Sequence, residues 1–342
     1  IITDVLLLSD LYGIESHGMQ RLVRYHKGIE KGMIKVDAKP EIVFETPVSA
    51  VIDAHDAMGQ LVSHQAMNLA IEKAKKTGMA IVSVRNSNHF GIAGYYAKMA
   101  CDQGLIGMAM TNSEAIMVPT FARMAMIGSN PIALAVPAEP YPFFFDASTT
   151  VVTRGKLEVY NKMEKPLPEG WALNKDGHPS TDAKDVLKNI VAKNGGGIMP
   201  VGGNTEQLGS HKGYGYGMMC EIFCSVFSQG TPSSHVNVGG KSGTCHGFMA
   251  VDPHVFGDPE AIKAHFSACL QELRDAPKAD GQTRIYTHGE KEAFAYQDRM
   301  ENGIDVNINT VAEMADMARY LGMDVEKYLG KVDVHGLESS YQ

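Results

Sequence analysis

Five segments of this chain carry side chains that could do chemistry. The first is Ser16-His17-Gly18-Met19-Gln20-Arg21-Leu22-Val23-Arg24-Tyr25. Read as a helix, it spaces His17, Arg21 and Tyr25 at i, i+4 and i+8, with Arg24 three beyond Arg21, so all four share one face. Two forked guanidiniums, an imidazole and a phenol suit an anionic, oxygen-rich ligand. The fork pairs with a carboxylate and the imidazole meets a carbonyl or hydroxyl. A solvated basic helix face would use the same residues, and spacing alone leaves both readings open.

The second segment, Asn86-Ser87-Asn88-His89-Phe90-Gly91, follows an apolar run and opens a helical one. A histidine beside a helix N-terminus is held neutral by the partial positive charge there, and a neutral imidazole is what a base for hydroxyl oxidation requires. Ordinary capping accounts equally well for Asn and Ser at a helix start. The third, Thr111-Asn112-Ser113-Glu114 with Gly128-Ser129-Asn130-Pro131, and the fourth, Phe145-Asp146-Ala147-Ser148-Thr149-Thr150, gather hydroxyls and amides at strand ends. Such turns can present donors to ribose or phosphate, although turns collect these residues anyway. The fifth, Ser210-His211-Lys212-Gly213-Tyr214-Gly215-Tyr216-Gly217, puts a lysine at a helix start, where a phosphate could meet it.

The elements that must position these residues alternate short β-like runs with amphipathic helices. Ile1–Leu11 reads as a helix, residues 41–53 as a hairpin, and residues 59–78 as a helix closed by Gly78. Strands are expected at 79–84, 105–110, 132–136, 143–145 and 247–251, and helices at 92–103, 211–228, 259–274 and 310–321. Between about 160 and 210 the chain is polar and rich in Gly and Pro, which predicts long functional loops. No G-x-G-x-x-G is present, and Gly240-Lys241-Ser242 lacks the upstream glycine of a P-loop because position 235 is His. A dinucleotide, if bound, therefore sits on something other than a Rossmann unit.

Composition narrows the classes further. A chain of 342 residues suggests two or three domains, and 44% hydrophobic with 20% charged residues excludes wholesale disorder. The net charge of −8 argues against nucleic acid or an anionic membrane as the main partner. Apolar runs are too short to span a bilayer, and no secretory signal is expected. The chain begins within a helix and without Met, so part of the natural N-terminus is expected to precede it. Five scattered cysteines read as buried thiols, and no metal site is expected: Cys220 and Cys224 have no second pair nearby.

Taken together, SHGMQRLVRY, NSNHFGIAGYYA, TNSEAIMVP with GSNPIALAVP, FDASTTVVTRGK, LPEGWALNKDGHPSTD and GSHKGYGYGM occur in the order in which they occur in a known family. The chain resembles the malate/L-lactate dehydrogenase family, NAD(P)-dependent enzymes that include sulfolactate and ureidoglycolate dehydrogenases. The resemblance runs from about residue 1 to 330 and is strongest to the malate dehydrogenase branch.

That resemblance implies an α+β fold without a Rossmann unit, built on a largely antiparallel or mixed sheet flanked by helical segments from both chain ends. It implies a substrate-binding and dimerisation region at 1–104 plus 259–342, an NAD-binding domain at 105–258, and a homodimer in the cytoplasm. By that resemblance Ser16, His17, Arg21 and Tyr25 would line the substrate pocket, and His89 and His17 would be catalytic, His89 carrying the proton; helical spacing adds Arg24, one turn from Arg21, as a substrate-binding cation for the far end of a diacid. Ser113, Asp146, Ala147, Ser148, Lys212 and the Gly289-Glu290-Lys291 turn would meet the cofactor, NAD or NADP. The implied reaction is reversible hydride transfer between malate and oxaloacetate, with lactate, sulfolactate or ureidoglycolate as alternative hydroxy acids and a non-catalytic binding protein as the rival class.

Overall fold

The computed structural model describes residues 1–334. They form two compact units, one made of Ile1–Ile34 with the chain from Glu290 onward, the other of Lys35–Gly289. The terminal unit opens with α1 (Ile2–Leu11) and α2 (Leu22–Glu30). Between them, residues 16–25 are not the single helix that the spacing suggests. Two 3₁₀ turns, Glu15–His17 and Met19–Arg21, are separated by Gly18, whose extended backbone (φ −87°, ψ −146°) interrupts the helical path. The turn is tight because Asp10 accepts the Met19 N–H at 2.8 Å, leaving a Cβ at position 18 only 1.9 Å from that carboxylate. Glycine is therefore required there.

The larger unit begins with the hairpin β1 (Glu41–Thr46) and β2 (Ser49–Asp53), then α3 (Gly59–Thr77), closed by Gly78 at φ 92°. It continues through β3 (Met79–Ser87), α4 (Ala93–Cys101), β4 (Ile106–Thr111), β5 (Ile132–Val136) and β6 (Phe143–Ala147). Next come α5 (Arg154–Lys162), β7 (Ala172–Leu173), β8 (Pro179–Ser180), α6 (Ala183–Ala192) and β9 (Gly197–Ile198). The unit ends with α7 (Ser210–Glu221), which runs on as a π-helical turn over Ile222–Val226, then β10 (Thr244–Val251) and α8 (Pro259–Asp275). Back in the terminal unit lie α9 (Glu290–Asn302), α10 (Ile308–Tyr320) and α11 (Val325–Leu329).

The main sheet has seven strands in the order β1-β2-β3-β10-β4-β5-β6. Only β2 and β3 run parallel; every other pairing is antiparallel. This is the mixed, non-Rossmann α+β architecture expected from the sequence. Successive residues of central strand β10 face opposite sides. Phe248 packs edge-on to Tyr96 of α4 at 5.5 Å, whereas a Cβ on Gly247 would meet the Phe223 carbonyl at 2.9 Å. Helix α4 and the π-helical turn therefore cover opposite faces, and both faces of the central strands are buried.

The polar region and the division of the chain take the following form. Residues 160–210 are mostly loop and turn, as expected, but they are not without structure: with α5, the helix α6 and the small β8-β7-β9 sheet enclose a core of Leu157, Leu167, Val186, Ile190 and Ile198. Helix α6 is capped by Asp182, which accepts the Asp185 N–H, and ends on left-handed Lys193. The compact units also break at 34/35 and 289/290. The main sheet runs on across residues 104 and 105, with β3 and β4 flanking β10 on either side.

Candidate active site

In the terminal unit, the broken helix at Gly18 still gathers a cationic cluster. The Ser16 hydroxyl is 2.9 Å from His17 Nδ1, and Arg21 Nε donates to the Ser16 carbonyl at 2.6 Å, folding the guanidinium back over the 3₁₀ turn. Burial, and then the positive charges of Arg21 and Arg24, push the His17 imidazole down to about 4. The ring is neutral at pH 7. Arg24 lies on an exposed part of α2, one turn beyond Arg21, while the Tyr25 ring is buried at 3% exposure. The brace beneath this cluster was not anticipated from sequence. Asp10 holds the turn, and Arg299 of α9 donates to the Asp10 carbonyl and the Glu15 carboxylate. Its one sequence signal was the glycine after Ser-His.

In the larger unit, the His89, Ser113 and Asp146 segments collect at one end of the main sheet. The register pairs His246 with Thr111, Thr244 with Ser87, Met110 with Ile132, and Ile132 with Ala147. The ends of β3, β4 and β6 and the starts of β5 and β10 therefore share one edge. The Asn86–Gly91 turn, Ser113, Ser129 and Asp146–Ser148 all emerge there.

The His89 turn is held from several sides. Asn86, at φ 53°, donates to both Asp53 oxygens at 3.0 and 2.9 Å, and Asp53 also accepts from Arg85 Nε at 2.9 Å. Asn88 Nδ2 donates to the Asp56 and Ala57 carbonyls at 2.9 and 3.0 Å. Beneath it, Phe90 stacks on buried His246 with ring centroids 4.5 Å apart. The two His246 nitrogens lie 2.8 Å from the Thr111 hydroxyl and 2.9 Å from the Ser87 hydroxyl, tying β3 to β4 across β10. Burial pushes His246 down to about 3, so it stays neutral. His89 itself is half-buried, and its Nδ1 accepts the Gly91 N–H at 3.3 Å. A neutral His89 so arranged carries its proton on Nε2.

Around Ser113 the packing is close. Its N–H donates to Asn130 Oδ1 at 3.1 Å, and its hydroxyl accepts the Ser129 N–H at 3.0 Å. A Cβ on Gly128 would lie 2.3 Å from that hydroxyl, so the turn closes only on glycine. Asp146 Oδ2 accepts the Gly94 N–H at 2.7 Å, and Ser148 donates to the Thr150 carbonyl at 3.1 Å. Lys212 is exposed in the first turn of α7. Gly217, whose carbonyl accepts from Asn130 Nδ2 at 3.1 Å, lies ~7.5 Å further along the axis. Gly289 packs on the start of β6, where a Cβ would meet the Pro142 carbonyl at 2.7 Å, and the chain passes there into the terminal unit. Glu290 is buried and Lys291 exposed. The strand-end set thus offers hydroxyls and a carboxylate, and Lys212 of α7 an ammonium group, chemistries that suit sugar hydroxyls, an amide and phosphates.

All five cysteines are unpaired, and Cys220, Cys224 and Cys245 share an apolar cluster with Met110. Burial raises these three thiols, which makes them poor ligands or nucleophiles. Among the described residues, no group of three or more His, Cys, Asp or Glu could hold a metal ion, and no helix is long and apolar enough to cross a membrane.

Comparison with known proteins places this architecture. Residues 1–315 match the family profile described as malate/L-lactate dehydrogenase. A malate dehydrogenase of Pyrococcus abyssi is 44% identical over 325 residues, covering 94% of this chain and 88% of that protein. The crystal structure of malate dehydrogenase from Entamoeba histolytica superposes with a TM-score of 0.90 at 37% identity, covering 94% of this chain and 91% of that one. The sulfolactate dehydrogenase of Methanocaldococcus jannaschii superposes at 0.85 with 33% identity, covering 96% and 92%. With sequence and mixed-sheet fold agreeing over nearly the whole length, the chain belongs to the malate/L-lactate dehydrogenase family.

Proposed function

We propose that this protein is a malate dehydrogenase that interconverts malate and oxaloacetate with a nicotinamide dinucleotide, NAD in preference to NADP. The observation that carries the reading is the neutral His17 beside Arg21 and Arg24, backed by identity to malate dehydrogenases. Arg21 pairs with the carboxylate at C1, Ser16 and Tyr25 line the substrate, and Arg24 meets the far carboxylate. The cofactor, when bound, accepts or returns the hydride. Ser113 and Ser148 offer it hydroxyls, Asp146 a carboxylate for ribose hydroxyls, Ala147 a backbone contact and Lys212 a charge for phosphate. Gly289, Glu290 and Lys291 complete that set.

Two histidines serve as the acid–base pair, and their neighbours differ. The Ser16 hydroxyl and His17 Nδ1 can bond in either direction; with the hydroxyl accepting from Nδ1–H, Nε2 is unprotonated and able to take the substrate hydroxyl proton. The Gly91 N–H instead favours the Nε2–H tautomer of His89, a hydrogen-bond donor to the carbonyl oxygen. This local geometry supports proton transfer at His17 and polarisation by His89, the reverse of the order expected from sequence.

The reading extends to a cytoplasmic homodimer. It also keeps the functional division expected from sequence, with substrate binding and dimerisation in 1–104 plus 259–342 and cofactor binding in 105–258; residues 335–342 of that division lie outside the described residues. Following nicotinamide absorbance with NADH or NADPH against oxaloacetate, pyruvate and sulfopyruvate tests it. Oxidation of NADH by oxaloacetate is expected, and turnover restricted to sulfopyruvate would move the assignment to the sulfolactate branch.

A further inference from the structure

Glu221, the last residue of α7, is buried at 5% exposure, and every hydrogen bond drawn to its carboxylate comes from a neutral donor. Oε1 accepts Asn130 Nδ2 at 3.1 Å, the Ser233 N–H at 3.2 Å and the Ser233 hydroxyl. Oε2 accepts the Ser225 hydroxyl at 2.6 Å and Asn112 Nδ2 at 3.4 Å. A buried carboxylate costs stability unless its oxygens are satisfied, and here one side chain collects donors from four separate segments.

Two of those donors lead to the Ser113 turn. Asn130 uses its amide nitrogen on Glu221 and its amide oxygen on the Ser113 N–H. Asn112 precedes Ser113 in sequence, and its amide oxygen accepts the Cys245 N–H at 2.8 Å. The Ser113 hydroxyl then takes the Ser129 N–H, so its direction follows from the Asn130 side chain and the Gly128 turn. With φ at 32°, Asn130 adopts a backbone conformation that needs outside support. Glu221 supplies part of that support. Ser225, by contrast, approaches from the π-helical turn, and its hydroxyl donates to the Glu221 carbonyl and carboxylate.

We propose that Glu221 is a positioning residue for cofactor binding, holding Asn130, and through it Ser113, in the orientation that receives the dinucleotide. This rests on the assignment of Ser113 to the cofactor made above. Acceptor capacity, and not charge, is what the arrangement uses. A Glu221→Gln change keeps an oxygen towards Asn130 and Ser233, turns an NH₂ towards Ser225, whose hydroxyl can accept, and gives up only the long Asn112 contact, whose Nδ2 still has the Thr231 carbonyl at 2.8 Å. Glu221→Met has similar bulk but no acceptor of comparable strength, so it releases both donors.

Fluorescence titration of NADH into the full chain reads this without turnover. Glu221→Met is expected to raise the NADH Kd about tenfold, Glu221→Gln to restore it to within about threefold of wild type, and Ser225→Ala to leave it unchanged. In steady state, the cofactor KM rises while the oxaloacetate KM and kcat stay near wild type. Combined with Ser113→Ala, Glu221→Met adds little further loss, because the two act through one contact. Should Glu221→Met fail to fold, Ser233→Ala, which removes a single hydroxyl from the same oxygen, is expected to raise the Kd severalfold. Weakened binding in Ser113→Ala with unchanged Kd in Glu221→Met would overturn the inference and leave the Ser113 assignment standing. Unchanged Kd in both would overturn the two together.

Discussion

The carboxylate of Asp146, at the end of β6, accepts the backbone N–H of Gly94 in the first turn of α4 at 2.7 Å. The residue before that helix, Ile92, has no side-chain oxygen with which to cap it, so a strand at the edge of the sheet supplies the acceptor. Closeness is enforced: a Cβ on Gly94 would lie 2.3 Å from the Phe144 ring. Asp146 therefore serves the fold, and the proposed function asks it to bind ribose as well.

Two substitutions separate those roles. Asp146→Ala removes the cap and is expected to cost about 1 kcal/mol of stability, within the roughly 0.5–2 kcal/mol typical of lost caps. Asp146→Asn keeps an oxygen for Gly94 but loses the charge, so its melting temperature should stay near wild type while the cofactor KM rises. An unchanged KM in Asp146→Asn would leave Asp146 with the cap alone.

The histidine assignment makes a second prediction. Loss of a proton-transfer group lowers turnover ~10²–10⁴-fold, whereas loss of one hydrogen bond to the reacting oxygen costs nearer tenfold. His17→Ala is thus expected to be the severe variant and His89→Gln the milder one, with NADH binding intact in both. Measuring kcat for each at saturating cofactor decides it, and a severe His89→Gln beside a mild His17→Ala would restore the order expected from sequence.

Acid stability offers a third check. His246 is fully buried and neutral, with its pKa pushed from 6.5 down to about 3. The unfolded chain takes up a proton between those values and the folded chain does not, so stability is lost as pH falls below about 6.5. His17, pushed down to about 4, adds the same sign over a narrower window. Melting temperature should decline as pH falls from about 6.5 to about 4, and less steeply in His246→Gln. An equal slope in that variant would mean that other groups carry the effect.

Lys212 gives a fourth. Its exposed ammonium group lies in the first turn of α7, which otherwise favours an anion. Lys212→Ala is expected to raise the cofactor KM in a salt-dependent way and to spare the substrate KM. If added salt weakens cofactor binding equally in both proteins, Lys212 is an ordinary surface lysine.

Much of this was legible because local rules and tertiary packing agree. Residues 59–78 have helical periodicity and a glycine stop, and the hairpin at 41–53 alternates as strands do. Where the reading failed, a tertiary contact overrode the local signal. His17, Arg21 and Tyr25 fit helical spacing, but Asp10 pulls in the Met19 N–H and breaks the helix at Gly18. Helix α5 has few apolar residues, whereas α6 sets Val186, Leu187 and Ile190 at helical spacing behind an Asp182 cap, a signal overshadowed by the Gly- and Pro-rich turns around it. Glu221 and His246 carried no signal at all. A buried carboxylate and a buried imidazole look like surface residues until the partners that satisfy them, distant in sequence, are brought together.

The central claim is that this member of the family acts on a four-carbon diacid, and Arg24 is the residue that tests it. Arg21 suffices for the carboxylate common to malate and lactate, and Arg24 stands one turn further along, exposed. A charge-assisted hydrogen bond to the far carboxylate contributes about 1.5–3 kcal/mol, or roughly 10–150-fold in specificity. The decisive measurement is kcat/KM for oxaloacetate and for pyruvate on the wild-type protein and on Arg24→Ala. The account predicts a wild-type preference for oxaloacetate that collapses in Arg24→Ala through loss of the diacid alone. A wild-type preference for pyruvate, or equal losses for both substrates in Arg24→Ala, would contradict it.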